Sequence, residues 1–269
     1  MTDHDIMIGE CRICGKQCKL TKEHIPPKGA YNKGDFYVSA VNQLLEKRSV
    51  TDFEELVQFD IKRATKKQGG IGFYTLCKSC NNSTGSWYGN DYIKWIQQTI
   101  DHLRSGKFQQ PSPVMVSIYP LRLLKQILSM FFSLNHESFR TEFPTIVNFL
   151  LHKESTTLDK RIRVFAYYAE RGSIRYISDN FIGDLKTGKN FHVSEITFPP
   201  IGFVLCMNGE KPASRLKEIT WFRSYKYDDI INFQQEFMPL PTFMQVPCDY
   251  RTETEIRQAL EDAKKYIHP

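Results

Sequence analysis

The spacing of hydrophobic positions changes between residues 105 and 113. Before this segment, apolar side chains recur at intervals of three and four residues, which predicts an amphipathic helix. They are Tyr88, Tyr92, Trp95, Ile96, Ile100 and Leu103. After it, Val114, Val116 and Ile118 alternate as in a strand, and Pro120 opens a second amphipathic helix. The segment itself holds two prolines and a glycine. We therefore predict two domains, residues 1–108 and 109–269.

Shorter patterns fill the first domain. A strand is predicted to end at His24, because Pro26 and Pro27 follow it, and a second strand runs from Phe73 to Cys77. Between them lies an insertion over about residues 29–69, with one or two short helices in residues 41–61. Residues 66–72, which are basic and rich in glycine, are predicted to form a flexible loop.

The second domain alternates strands with a few helices. Pro144 opens a helix that is predicted to reach Leu151, and Thr252 with Glu255 forms a capping box that opens a last helix. Strands are predicted over residues 161–169, 173–178, 192–197, 201–207 and 218–222, with a turn at residues 170–172. The fold class is therefore α+β, and this domain carries a mainly antiparallel sheet. His192 and Glu195 are three residues apart in a strand, which places them on opposite faces and argues against a shared site.

Composition indicates a soluble globular protein. Hydrophobic residues make up 41% of the 269 positions and charged residues 25%. The N-terminus lacks the basic and apolar regions of a signal peptide. The most apolar helical stretch, residues 121–134, contains Arg122 and Lys125 and is too short to span a membrane. We predict a cytoplasmic protein without a membrane segment.

Four of the seven cysteines form two Cys-x-x-Cys pairs. They are Cys11 with Cys14 and Cys77 with Cys80. Four thiolates complete a closed tetrahedral zinc shell, which is the structural kind of zinc site, so we predict one structural zinc ion. Two alternatives replace one cysteine by Cys18 or by His24. Cys206 and Cys248 are interpreted as core thiols.

Candidate chemistry lies beside these pairs. Glu23 and His24 are adjacent, and Asn81 directly follows the last cysteine of the second pair. A histidine can act as a base, while carboxylate and amide oxygens suit Mg²⁺ or Mn²⁺. One zinc ion shared by both pairs would draw Asn81 toward Glu23 and His24. Asp91 and its neighbour Asn90 could reach the same ion, although a helix N-cap is the alternative role for them.

The order Cys-x-x-Cys, acidic-His-x-x-Pro, Cys-x-x-Cys-Asn resembles the HNH, or ββα-metal, endonucleases of the zinc-stapled treble-clef type, nearest to the endonuclease VII branch. The resemblance covers roughly residues 8–105. It implies structural zinc on the four cysteines, His24 as the general base, and Glu23 and Asn81 as ligands of a catalytic divalent metal. The chain departs from the family in having Glu23 in place of aspartate, Gly72 in place of an orienting asparagine, and a long insertion.

Charge is compatible with a nucleic-acid partner. The formal net charge is +6, and basic residues cluster around the candidate site. The predicted phosphate contacts are Lys22, Lys28, Lys62, Arg63, Lys66 and Lys67. We expect an endonuclease that acts on double-stranded DNA rather than RNA. By analogy, it would belong to a prokaryotic or phage defence system.

The competing hypothesis is a non-catalytic zinc-finger adaptor that binds nucleic acid or protein. The role of residues 109–269 is left open between target recognition, dimerisation and docking of a regulatory protein. Cleavage of both strands with one site per chain would imply a homodimer.

Overall fold

A computed structural model describes residues 7–39, 52–104, 114–184 and 187–267. It shows an α+β fold in which all but one of the described strand pairings are antiparallel, which confirms the predicted class. In the described part of the chain, no helix combines the length and apolar character needed to cross a membrane. The predicted domain boundary at residues 105–113 lies outside the described residues.

Thirteen strands are described, numbered in chain order. They are β1 (Ile8–Glu10), β2 (Gln17–His24), β3 (Phe36–Val38), β4 (Thr65–Lys67), β5 (Gly72–Cys77), β6 (Val114–Ile118), β7 (Arg163–Gly172), β8 (Arg175–Asp184), β9 (Lys189–Phe198), β10 (Ile201–Cys206), β11 (Lys217–Glu218), β12 (Ile231–Gln235) and β13 (Pro239–Thr242).

The α-helices of the described residues are α1 (Phe53–Val57), α2 (Lys78–Thr84), α3 (Asn90–Arg104), α4 (Pro120–Leu134), α5 (Phe139–Glu142), α6 (Pro144–Leu151) and α7 (Glu253–Ile267). A π-helical turn, Gly85–Gly89, joins α2 to α3 without a break, so one continuous helix leaves the second cysteine pair. Short 3₁₀ turns lie at Ile61–Arg63 and Thr220–Ser224.

The N-terminal strands form a three-stranded sheet in the order β1-β2-β5. Strand β2 ends at His24 as predicted, and His24 lies opposite Gly72 of β5. The register between β2 and β5 shifts between Thr21 and Lys22. Glu23, His24 and Cys77 lie in this sheet, Cys80 and Asn81 lie in helix α2, and Cys11 and Cys14 lie between β1 and β2.

The second half is built on a six-stranded sheet in the order β11-β7-β10-β9-β8, with β13 added parallel to β7. Strands β6 and β12 pair separately. The predicted helices at Pro120 and Pro144 are confirmed, as is the capping box, in which the backbone N–H of Thr252 donates to Glu255 at 2.6 Å.

Several sequence predictions were wrong in detail. Of residues 218–222 only Glu218 lies in a strand, because after β11 the chain turns into the 3₁₀ segment Thr220–Ser224. Residues 170–172 belong to β7, and the turn falls at residues 173–174. Lys66 and Lys67 are not in a flexible loop, because β4 pairs with β3. Strands β12 and β13 and helix α5 escaped prediction, since short or half-exposed segments carry weak periodicity.

The insertion contains α1 and the Ile61–Arg63 turn, while residues 40–51 lie outside the described residues. Helix α1 packs on the C-terminal region. The ring of Phe53 meets that of Phe243 edge-on at 5.2 Å, and Arg257 of α7 forms an ion pair with Glu54. The insertion is thus anchored far along the chain from the cysteines.

One hydrophobic core joins the two halves. Buried side chains of α3, α4 and the six-stranded sheet belong to the same cluster as Cys11, Leu76 and Cys80. Trp95 of α3 is fully buried, and its indole N–H donates to the side-chain oxygen of Gln235 in β12 at 2.7 Å. The candidate site is therefore built on a scaffold to which both halves contribute.

Candidate functional site

The four predicted cysteines converge. Ligand atoms of Cys11, Cys14, Cys77 and Cys80 all lie within 4.8 Å of one another, and the sulfurs of Cys14 and Cys77 are 3.9 Å apart. Tetrahedral zinc with bonds of about 2.3 Å would hold its sulfurs about 3.8 Å apart. The set can therefore bind a metal such as zinc. Across the described residues neither Cys18 nor His24 belongs to this group.

Local backbone geometry explains the convergence. Gly15 has φ of 75°, and its N–H donates to the carbonyl of Cys11 at 2.8 Å, which closes the first cysteine pair into a turn. Cys77 is the N-cap of helix α2, and its sulfur accepts a hydrogen bond from the N–H of Cys80 at 3.3 Å. A thiolate is favoured at a helix N-terminus. The hydrogen bond with Cys80 lowers the pKa of Cys11 to about 4.

Asn81, one residue beyond the second cysteine pair, reaches back to strand β2. Its amide nitrogen donates to the hydroxyl of Thr21 at 2.9 Å and to the carbonyl of Lys22 at 3.4 Å. The Thr21 hydroxyl itself donates to the carbonyl of Leu76 at 2.9 Å, so it must accept from Asn81. These bonds fix the orientation of the amide. They leave its carbonyl oxygen available for a cation.

Glu23 is a buried carboxylate with only 8% of its surface exposed. Within the described ranges its side chain forms neither a hydrogen bond nor an ion pair. Burial alone raises its pKa to about 7. Strand alternation places Glu23 on the face of β2 opposite that of Lys22 and His24. Asn81 contacts the two residues that precede Glu23, which are Thr21 and Lys22. Two side chains with oxygen donors that suit a hard divalent cation are therefore brought to the same end of β2.

His24 lies on the other face of β2, together with Lys22. Its Nε2 is 3.2 Å from the carbonyl oxygen of Gly69. A carbonyl only accepts, so Nε2 carries the proton and Nδ1 is left with its lone pair. Burial and the charge of Lys22 lower the pKa of His24, with a smaller contribution from Lys28. A neutral histidine with a free Nδ1 can act as a base at neutral pH.

Glu23 and His24 thus do not project in the same direction along β2. The two side chains could contact the same substrate only at the end of β2, where pairing with β5 stops at His24. The backbone beyond His24 is held from the second half of the molecule, because the hydroxyl of Tyr176 in β8 donates to the carbonyl of Ile25.

Sequence reasoning missed Asn32. This side chain is fully buried, and its nitrogen donates to the carbonyls of Pro26 at 2.8 Å and Ile71 at 2.7 Å. Its oxygen accepts from the N–H of Ile71 at 2.8 Å. Asn32 therefore ties the segment after His24 to the segment that supplies the Gly69 carbonyl. No motif marked it, because an isolated asparagine in an insertion has no signature.

Close backbone contacts explain why glycine occupies two positions near this segment. Gly70 has φ of 103°, and a Cβ there would lie 2.2 Å from the backbone oxygen of Asn32. A Cβ on Gly72 would lie 2.6 Å from the carbonyl oxygen of Glu23. An asparagine at position 72 would therefore displace β2. The contact that orients His24 comes from the Gly69 carbonyl instead.

The predicted phosphate contacts fall into two groups. Lys22 and Lys28 act on His24 through their charge, and Lys22 also donates to the carbonyl of Gly70 at 3.4 Å. The second group lies on the Ile61–Arg63 turn and strand β4 and is exposed: Lys62, Arg63, Lys66 and Lys67. Lys66 forms an ion pair with Asp35 at 2.8 Å, so its charge is partly compensated.

Asp91 is engaged elsewhere, since it accepts from Arg122 at 3.0 Å. That guanidinium lies between the rings of Tyr119 and Tyr227, at 4.2 and 4.1 Å from their centroids. The carboxylate therefore helps to join α3 to α4.

Comparison of the chain with protein-family models, with curated proteins and with solved structures found no match.

Proposed function

We propose that the protein is a metal-dependent endonuclease of the HNH type that hydrolyses phosphodiester bonds, with double-stranded DNA as the favoured substrate. In this proposal, residues 8–105 form a zinc-stapled ββα-metal module, and the four cysteines hold a structural zinc ion. The observation that carries the proposal is the buried carboxylate of Glu23, which has no hydrogen-bond or ion-pair partner among the described residues. Asn81 is held against the two residues that precede Glu23, and Nε2 of His24, the next residue, contacts a backbone carbonyl.

Glu23 and Asn81 would hold Mg²⁺ or Mn²⁺, and the bound ion would neutralise charge that develops on the phosphate. The protein supplies the rest. Nδ1 of His24 accepts the proton of the attacking water, and the Gly69 carbonyl stabilises the imidazolium that results by accepting from Nε2. The lysines that flank His24, and the exposed basic residues of β4 and the Ile61–Arg63 turn, contact phosphates of the substrate.

We also propose a role for residues 109–269 in positioning the site. The contact of Tyr176 with the Ile25 carbonyl supports a role in positioning the site. Defence against foreign DNA is the biological setting that we propose, by analogy with compact nucleases joined to a second domain.

The deciding experiment is a nicking assay on supercoiled plasmid with zinc-loaded protein and added Mn²⁺ or Mg²⁺. We expect nicking by the wild-type chain and a loss of at least a hundredfold in rate for His24→Ala, because a general base contributes about 10²–10⁴-fold. His136→Ala is the matched control, since His136 is an exposed histidine remote in sequence.

Unchanged nicking by His24→Ala would refute the assigned mechanism. Binding of DNA without nicking under either metal would favour the adaptor hypothesis.

A further inference from the structure

A cavity of about 310 Å³ lies on the second half of the molecule, away from the cysteines in sequence. It is lined by the first residue of β7, by β11, by the 3₁₀ segment Thr220–Ser224 and by the loop before β7. Its volume is at the lower end of the range of small-molecule sites, about 300–1,000 Å³. The space suits one small ligand rather than a large cofactor.

The charge of the lining is positive. Lys160, Arg163 and Arg223 face one acid, Glu218, which leaves an excess of two positive charges. Arg163 forms an ion pair with Glu218 at 2.6 Å and donates to the carbonyl of Gly209 at 2.8 Å. Glu218 therefore neutralises the charge of Arg163, and the excess positive charge comes from Lys160 and Arg223.

Lys160 and Arg223 form no ion pair with any described residue. One nitrogen of Arg223 donates to the carbonyl of Leu158 at 2.7 Å, which anchors the guanidinium but leaves its other donors open. A guanidinium held in this way presents a fixed fork that suits a phosphate. Lys160 adds an exposed ammonium group, and Ser224 a hydroxyl.

An aromatic wall completes the cavity. Trp221 is 39% exposed although it contacts three rings, those of Phe222, Tyr225 and Phe233. These rings meet the indole at angles of 59–83°, so none of them stacks parallel on it. The indole N–H donates to the carbonyl of Glu218 at 3.1 Å, which holds the ring in place. A planar ring can therefore stack on its exposed surface.

An anchored guanidinium and a second, exposed cation beside a fixed indole are the donor set for a molecule that carries both a phosphate and a planar ring. We propose that this cavity binds a nucleoside phosphate of mononucleotide size, with the phosphate on Arg223 and Lys160 and the base on Trp221. The site is independent of the proposed nuclease activity. Its ligand is either a free nucleotide or the terminal nucleotide of a strand.

The test is isothermal titration of the full-length, zinc-loaded chain with AMP, GMP, CMP and UMP, and with inorganic phosphate and a 5′-phosphorylated trinucleotide. We expect saturable binding of at least one mononucleotide. Affinity should fall at least tenfold for Arg223→Gln and for Trp221→Leu, and inorganic phosphate should bind at least tenfold more weakly. Lys226→Gln, at an exposed lysine outside the lining, is the matched control and should bind as the wild type does.

A trinucleotide that binds more tightly than every mononucleotide would identify the strand end as the source of the ligand. If each probe bound Arg223→Gln as tightly as the wild type, the proposal would be overturned. The absence of binding of every mononucleotide to the wild type would overturn it as well. Equal binding of phosphate and nucleotides would overturn the assignment of the base to Trp221. Circular dichroism spectra confirm that each variant is folded, and none of these readouts depends on nuclease activity.

Discussion

Among the described residues two glutamates are buried, and their surroundings are opposite in character. Glu195 of β9 is fully buried and accepts from Arg175, Tyr167, Thr197, Tyr250 and the N–H of Cys248. Glu23 of β2 is almost as buried, yet no described residue offers it a donor. A buried charge is tolerated only when it is paired. The first carboxylate therefore has a structural role, and we propose that the second binds a cation.

The same contrast extends to the neighbouring residues. Arg175 donates to the carbonyls of Met244, Val246 and Asp249 at 2.7–3.2 Å, so its ion pair fastens the segment before α7 to the sheet. Around Glu23, by contrast, no described residue donates to the side-chain oxygen of Asn81 or to Nδ1 of His24.

The largest effect is expected from breaking the satisfied pair. Arg175→Met leaves Glu195 buried without its cation, and we expect the free energy of unfolding to fall by about 3–5 kcal/mol. Denaturant unfolding followed by circular dichroism measures it. The double variant Arg175→Met with Glu195→Gln is the control and should recover part of the loss, because it leaves no unpaired charge and the amide oxygen can still accept from the neighbouring hydroxyls. A loss below 1 kcal/mol for the single variant would contradict the structural role.

The opposite sign is expected at Glu23. Its pKa of about 7 lies above the unfolded value of 4.5, so the folded state holds the extra proton between these values. The contribution of this group to stability therefore falls as pH rises from 4.5 and is fully unfavourable above about 7. Glu23→Gln should raise the free energy of unfolding at pH 8 by up to about 3 kcal/mol in the absence of divalent cations other than zinc.

Unfolding of wild type and Glu23→Gln at pH 4.5 and pH 8 checks this sign. The gain should shrink toward zero at pH 4.5, and Glu55→Gln, at an exposed position, should show no such gain. A destabilised Glu23→Gln at pH 8 would mean that the carboxylate has a protein partner after all.

Asn32→Ala tests whether the segment that orients His24 depends on the buried amide. The change leaves the N–H of Ile71 without its acceptor, and we expect a loss of about 1–3 kcal/mol in stability. The proposed nuclease rate should fall as well, because the Gly69 carbonyl would no longer be held. Asn82→Ala, at an exposed asparagine, is the control. Full activity in folded Asn32→Ala would remove Asn32 from the positioning of the site.

The smallest effect concerns the charge near His24. The neutral form is the base, and its pKa is lowered, so cleavage should persist below pH 6.5 and decline only at lower pH. Lys22→Gln removes one cause of the lowering and should move the acidic limb of the single-turnover rate upward by a fraction of a pH unit. Lys19→Gln on the same strand is the control. A downward shift in Lys22→Gln would contradict this electrostatic account.

The cysteine cluster could be predicted from sequence because its information is local. Two Cys-x-x-Cys pairs, a permissive Gly15 and an asparagine after Cys80 need only one metal to bring them together. The helix that contains Trp95 could also be predicted from sequence, because its apolar residues recur at helical spacing over several turns.

Other parts of the site could not be predicted, because they depend on contacts distant in sequence. Asn32 reaches Ile71 across 39 positions, and Tyr176 reaches Ile25 across 151. The reason for Gly72 is visible only once β2 and β5 are paired. The ion pair of Glu195 with Arg175 could not be predicted either, because residues that pair across neighbouring strands have no fixed spacing in sequence.

Binding of Mn²⁺ tests the central claim most directly. Zinc-loaded wild type, Glu23→Gln, Asn81→Ala and Glu55→Gln are titrated with Mn²⁺ and followed by electron paramagnetic resonance, which detects the free ion without needing any substrate. We predict one site per chain in the wild type and in Glu55→Gln, with affinity at least tenfold weaker in the other two. Equal affinity in all four proteins would contradict the account.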